Sequence, residues 1–428
     1  MQLKKKLGLA VCSLLTATQS QAADWLYDAS VLNYSEKDSQ QQNRVSVVEP
    51  VLSITKQNAV DDYVQFQVIY DSLTGASPNG ANASSVAQNF NRFIARPGFT
   101  PLDPAFNDNR VAFNLNWLKP LDRTSRYQAG LSFSTETDYK SVAGNLSLLE
   151  DFDHKRTTLT IGGAYSYDAV NPHGGFHDPF TSIYAVATPV TPTAQTVTSA
   201  SGGGGNQEQS LFPGKIKQTF EGIVGISRVL NRFTLLNVNY GISYLTGYQT
   251  DPYKLISVID AGGFPVDYVW EKRPDTRLKQ TVKTSFITAI GKDSLHLDYR
   301  YYWDDWGVST NTYDVKYHFS MGSHLYVVPH YRLSDQSKAD FFRISLNQSQ
   351  PDPAYASADY RLGDMKTTTY GGMIGYRWNS KLEFTANIEQ ITQTGNSYPV
   401  EAIGDQRNND MFPDLKFWSL TFGVRGKW

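Results

Sequence analysis

The last eleven residues constrain the fold more than any other part of the chain. From Trp418, alternate positions are apolar or small: Trp418, Leu420, Phe422, Val424, Gly426 and Trp428. Between them stand Ser419, Thr421, Gly423, Arg425 and Lys427. Side chains on a strand change face at every residue, so this segment has one greasy and one wet face. It ends on an aromatic residue at the terminal carboxylate. That pattern fits the closing strand of an outer-membrane barrel, read as an insertion signal by the barrel-assembly machinery.

The opposite end points to export. Lys4, Lys5 and Lys6 precede the mostly apolar run Leu7–Leu15, and Ser20, Gln21 and Ala22 supply small residues around a cleavage point. The spacing predicts a secretory signal peptide over 1–22 and a single barrel domain over 23–428. The only cysteine, Cys12, lies inside that leader. A lipidation box at Leu9-Ala10-Val11-Cys12 is the competing reading, and bulky Val11 argues against it. The mature chain then has no thiol for a disulfide or a thiolate metal site.

Past the leader, no stretch is apolar long enough for a membrane helix. Net charge is -2, which gives no reason to expect a nucleic-acid partner. The 26 tyrosines outnumber every other aromatic residue, and rings with one wet end suit a membrane–water boundary.

Alternation recurs along the chain. Val64, Phe66, Val68 and Tyr70 share one parity; so do Val111, Phe113, Leu115 and Trp117, then Leu236, Val238, Tyr240, Ile242 and Tyr244, then Leu382, Phe384, Ala386 and Ile388. Strand starts fall near 25, 43, 61, 109, 124, 140, 155, 216, 232, 276, 294, 311, 323, 366, 380 and 415. The pattern blurs at Val48–Ile54 and Tyr326–Tyr331, where Pro50 and Pro329 intervene. About sixteen strands is an even number, as bacterial barrels have. The long connections, 73–107, 169–214, 249–274, 334–364 and 394–413, all fall on one side. Both termini fall on the other, with the short turns. The expected fold is therefore all-β: a transmembrane antiparallel up-and-down β-barrel in a Gram-negative outer membrane, with long extracellular loops and periplasmic termini. A soluble sandwich has no cause for such asymmetry. A barrel this wide cannot fill its lumen with barrel side chains alone.

Candidate sites follow from that placement. The apolar Phe90, Phe93 and Phe99 in the first long loop suggest a constriction folded inward, against a simple capping loop. The middle of 169–214 holds Gly202–Gly205 and should be mobile. His173, His177 and Asp178 lack a second half-site for a metal, and Asp304 and Asp305 read as solvated acids more readily than as a calcium site. In the run Tyr301–Trp306 the aromatic residues fit a membrane girdle. His296, Asp298 and Arg300 share the wet face of one strand, with Arg377 and Glu383 on neighbours. Both signs occur, so strong selection by charge is not expected. No cofactor is expected, and no GxSxG-type motif marks an enzyme.

Trp25-Leu26-Tyr27-Asp28-Ala29, Val45-Ser46-Val47-Val48-Glu49-Pro50 and above all the stretch from Tyr70 to Ala81, YDSLTGASPNGA, resemble a Gram-negative family of outer-membrane barrels of uncharacterised function. The resemblance covers the mature chain. It implies a neighbourhood with a small lipoprotein, a thioredoxin-like protein and a flavin transferase, and so a redox-linked or lipoprotein partner; it supplies no site residues. Two functions stay open: a passive or gated channel for small polar solutes, or a scaffold for a periplasmic partner. An outer-membrane enzyme is the third. Outer-membrane lipid is the one contact all three share, and oligomeric state is not legible.

Overall fold

The computed structural model describes residues 24–90, 93–184 and 214–428, so the expected leader with Cys12 and the glycine run 202–205 lie outside the described residues. In chain order the strands are β1 (Asp24–Asp38), β2 (Asn43–Ala59), β3 (Asp62–Pro78), β4 (Gln88–Phe90), β5 (Phe93–Ala95), β6 (Leu102–Pro120) and β7 (Ser125–Thr135). They continue with β8 (Tyr139–Phe152), β9 (Thr157–Val170), β10 (Lys215–Asn231), β11 (Thr234–Gly247), β12 (Leu255–Ile259), β13 (Pro265–Trp270) and β14 (Thr276–Ile290). The last are β15 (Asp293–Asp304), β16 (Ser309–Met321), β17 (Leu325–Gln336), β18 (Ser345–Asn347), β19 (Met365–Arg377), β20 (Leu382–Gly395) and β21 (Leu415–Lys427).

Sixteen of these form a closed antiparallel barrel in the order β1-β2-β3-β6-β7-β8-β9-β10-β11-β14-β15-β16-β17-β19-β20-β21. β1 pairs with β21 from Leu26↔Lys427 to Asp38↔Leu415, so the sheet has no free edge. Every ladder hydrogen bond is made within the sheet, which is what a backbone crossing hydrocarbon needs. The outer wall carries the alternating apolar parity: Leu131, Leu146, Ile161, Ile374, Ile388 and Phe422 are exposed large hydrophobics. An apolar surface that wide and continuous fits lipid rather than water. On the closing strand Trp418, Leu420, Phe422, Val424 and Trp428 all take this outward parity, and Trp428 stacks on Tyr27 of β1 at 5.2 Å.

Several boundaries differ from expectation. The first long loop is 79–101 rather than 73–107, because β3 continues to Pro78 and β6 begins at Leu102, paired Pro78↔Leu102. Three quarters of the YDSLTGASPNGA segment, Tyr70 to Pro78, is therefore strand. The two proline-bearing stretches are uninterrupted strands: Pro50 pairs with Val31 and Pro329 with Gly372. In β2 the ladder to β3 skips Glu49 and Pro50, a local tolerance for the missing N–H.

Candidate functional site

Among the described residues the buried hydrophobic clusters lie in the loops, over the barrel's long-loop end. Strands β12 and β13 form a small sheet to which β18 adds in parallel, Ser257↔Ser345. Hairpin β4–β5 presses Phe90 and Phe93 into a core with Ala81, Leu255 and Tyr268. Phe90 is almost fully buried and stacks on Tyr268 at 3.7 Å. Gly80 lets the chain approach this core: its φ is 99°, and a Cβ there would lie 2.3 Å from the Leu255 carbonyl oxygen. A second cluster joins Trp306, Val308, Ala339, Phe341 and Leu362. Phe99 sits at the edge, in a turn where its N–H donates to the Arg96 carbonyl at 3.0 Å.

At the centre lies a network of buried charges from two loops. Arg273 places Nε 2.6 Å from Glu271 Oε1 and Nη2 2.8 Å from Asp359 Oδ2. Arg361 donates to Asp251 Oδ2 at 2.8 Å and, through Nε, to Asp359 at 2.9 Å. Ser357 Oγ donates to Glu271, and Lys254 Nζ donates to the Pro78 carbonyl of the barrel rim. Three acids thus face three bases. Burial opposes ionisation of Asp359, but Arg361, Lys254 and Arg273 overcome it and hold its pKa well below the usual carboxylate range. For Asp251 burial is likewise outweighed by Lys254 and Arg361, and its pKa falls. Glu271 goes the other way: burial pushes it up against the pull of Arg273.

The other loops are tied to this knot. Ser84 donates to Asp405 Oδ2 at 2.6 Å, joining the β3–β6 loop to the β20–β21 loop. Tyr253 donates to Asp138 at 2.7 Å, reaching the β7–β8 turn. Tyr360 lies under the Arg44 guanidinium, 5.1 Å from its ring centroid, and Arg44 Nε is 3.1 Å from Glu36 Oε1 on the inner wall. A register shift opposite Glu36, between Ser35 and Lys37, turns Arg44 inward to make that contact. The β17–β19 loop therefore crosses the mouth and docks on β1 and β2.

Below the knot the lumen is polar. Arg377 lies 3.4 Å from Glu383, which also accepts from Tyr326 at 2.9 Å. Asp298 pairs with Lys283 at 3.1 Å. His330 is held between Glu389 at 2.8 Å and Asp314 at 3.0 Å. His296 Nε2 is 3.0 Å from Ser294 Oγ, but Asp298 goes to Lys283, so no carboxylate orients that imidazole as a catalytic base requires. Arg300, by contrast, has a buried Nε with no acceptor.

Other residues singled out in the sequence take different places. Asp304 is occupied by Arg277 Nε at 2.8 Å and by the Trp306 and Val308 N–H groups, so it anchors the β15–β16 turn. Tyr301 and Trp303 stack on the outer wall at 5.2 Å, whereas Trp306 is buried and donates to the Thr276 carbonyl at 2.8 Å. His177 lies flat on Trp270 at 3.8 Å. Among the described residues the one close group of metal-type side chains is Asp108, Glu136 and Asp138, which the sequence reading passed over. It also passed over the buried charges.

No curated protein matches the chain. Among solved structures, a bacterial polysaccharide outer membrane secretin aligns at 8% identity over 96% of this chain and 100% of its own, with a TM-score of 0.42. The outer membrane protein OpdK from Pseudomonas aeruginosa aligns at 10% identity over 95% and 99%, with a TM-score of 0.39. OccK2 (OpdF) of the same organism, solved in complex with glucuronate, gives 8% identity over 95% and 98% and a TM-score of 0.40. At this level of similarity nothing about their cargo transfers. The family model described as protein of unknown function (DUF3570) matches residues 4–425, and the chain belongs to that family.

Proposed function

We propose that the chain is an outer-membrane channel for small polar solutes whose outer mouth is narrowed by the loop knot, with both termini in the periplasm. The observation that carries the reading is a gradient along the inner wall of the closing seam. Near the short-turn end Arg425 and Asp28 keep 65% and 40% of their side-chain surface, although both face inward. At the other end of the same two strands Asp38 and Leu415 keep 1%. The lumen is thus a polar cup, open below and narrowed above by packed loops. Charges of both signs along its wall suit water and polar solutes, not a fatty cargo. Phe90 and Phe93 serve the narrowing by anchoring the first loop in the knot rather than by lining a path.

Reconstituted in planar bilayers, the full chain should give small unitary conductance that rises when the β17–β19 loop is released from the knot. Complete silence of both the native chain and a loop-released variant would overturn the channel.

The narrowed mouth also favours a second reading, a scaffold whose open end receives a periplasmic redox or lipoprotein partner. That reading expects silence in the bilayer and co-purification of the partner. Assembly by the barrel-assembly machinery is common to both.

A further inference from the structure

Lys283 on β14 and Arg300 on β15 are register partners. Both have the inward parity. Like charges directly opposed across a ladder destabilise it, so this pair needs a compensating anion or a functional reason. On its other side Arg300 stands opposite Thr312, which pairs with Ser334, two residues from Arg332. Arg332 is close enough to repel Arg300 electrostatically.

The nearby acids answer the lysine and leave the two guanidinium groups without a bonded partner. Asp298 is taken by Lys283 at 3.1 Å. Asp314, though opposite Arg332 in the register, gives Oδ2 to His330 at 3.0 Å and Oδ1 to Lys316 at 3.9 Å. Glu389 accepts from His330 at 2.8 Å. Arg300 Nε is buried with no acceptor. Arg332 stands opposite Asp314 and attracts it electrostatically, but among the described residues the two make no hydrogen bond or close ion pair. A guanidinium is a planar fork that matches the two oxygens of a carboxylate or phosphate. Two such forks, with a paired lysine across the ladder from one of them, make an oxyanion station on the inward face.

We propose that Lys283, Arg300 and Arg332 form a binding station in the lumen for small solutes bearing a carboxylate or phosphate group. As a step in transport this rests on the channel reading; as a binding site it does not. The sequence expectation of a wall indifferent to charge is narrowed accordingly: the acids are spoken for and two arginines are not.

The test uses the full-length barrel in detergent, titrated calorimetrically with benzoate and, separately, inorganic phosphate. At least one probe should bind. The double variant Arg300→Gln/Arg332→Gln should weaken it by about tenfold or more, the scale of one lost charged hydrogen bond. Arg300→Lys keeps the charge without the fork and should fall between. Lys56→Gln, which removes one cation from the outer wall, should bind like the native chain. Heat-modifiable gel mobility reports that each variant is folded. Binding of neither probe, or equal binding by the double variant, overturns the station. In bilayers under a salt gradient, the native chain should be anion-selective and the double variant less so. Binding without any conductance would sink the channel and leave the station standing.

Discussion

The ring of Tyr27 covers Gly426 on the outer wall, at the seam where the first strand meets the last. The two are register partners, and a Cβ on Gly426 would stand 2.2 Å from Tyr27 Cζ. Trp428 completes the stack beside it. The terminal alternation thus carries a glycine at 426, just before its last aromatic residue, because a ring from β1 needs that space. Gly426→Val should lift Tyr27 off the seam and cost about 1–3 kcal/mol, as overpacking does. The check is the midpoint of denaturant unfolding in lipid vesicles: a Gly426→Val midpoint equal to the native one would refute the assignment.

Asp359 is the hub of the knot, shared by Arg273 and Arg361. Removing one partner of a buried charge network strands the others, at about 3–5 kcal/mol for a well-buried pair. Asp359→Ala should therefore release the β17–β19 loop while leaving the barrel ladder intact. Protease should cleave within residues 337–364 much faster, conductance should rise, and gel mobility of the folded barrel should stay unchanged. Loss of folded mobility would show that the knot holds the barrel together, contrary to this expectation.

Acid should loosen the same knot. Asp359 and Asp251 have pKa values depressed in the folded state, by Arg361 and Lys254 acting against burial. Such groups add stability above the unfolded carboxylate pKa of about 3.9, and that stability is lost as pH falls through the folded values. Glu271, raised by burial, works in the opposite sense, its contribution fading as pH rises. With two depressed groups against one raised, closure weakens below about pH 4. Channel conductance at pH 3 should exceed that at pH 7. Asp359→Asn, already loosened, should show a smaller step.

The barrel was legible because lipid outside and water inside impose a period of two, and Val64–Tyr70 or Trp418–Trp428 write that period without ambiguity. The inward parity of His296, Asp298 and Arg300 followed from the same rule. The knot was not legible. Its contacts join residues far apart in sequence, Ser84 to Asp405 and Asp251 to Arg361, and loops have no period that would reveal a partner. Nor could parity tell which charges were engaged: Asp298 and Arg300 look equivalent on the strand, but only Asp298 meets a counter-ion. The inward turn of Arg44 depends on a register shift that no residue type announces.

The membrane reading itself can be tested with two adjacent residues of β20. Ile388 is an exposed large hydrophobic on the outer wall, paired with Gly372 and Leu420. Asn387 has the opposite parity, on the lumen face two residues from Glu389. If the outer wall meets hydrocarbon, Ile388→Arg places a guanidinium in lipid near mid-strand, at a cost of about 2–4 kcal/mol. Asn387→Arg adds the same charge to water beside a carboxylate and should cost little. Folding yield into vesicles, followed by denaturant titration, should therefore fall for Ile388→Arg alone. A barrel whose exterior met water would reverse that order, because an arginine replacing an exposed isoleucine there would be neutral or would improve solubility.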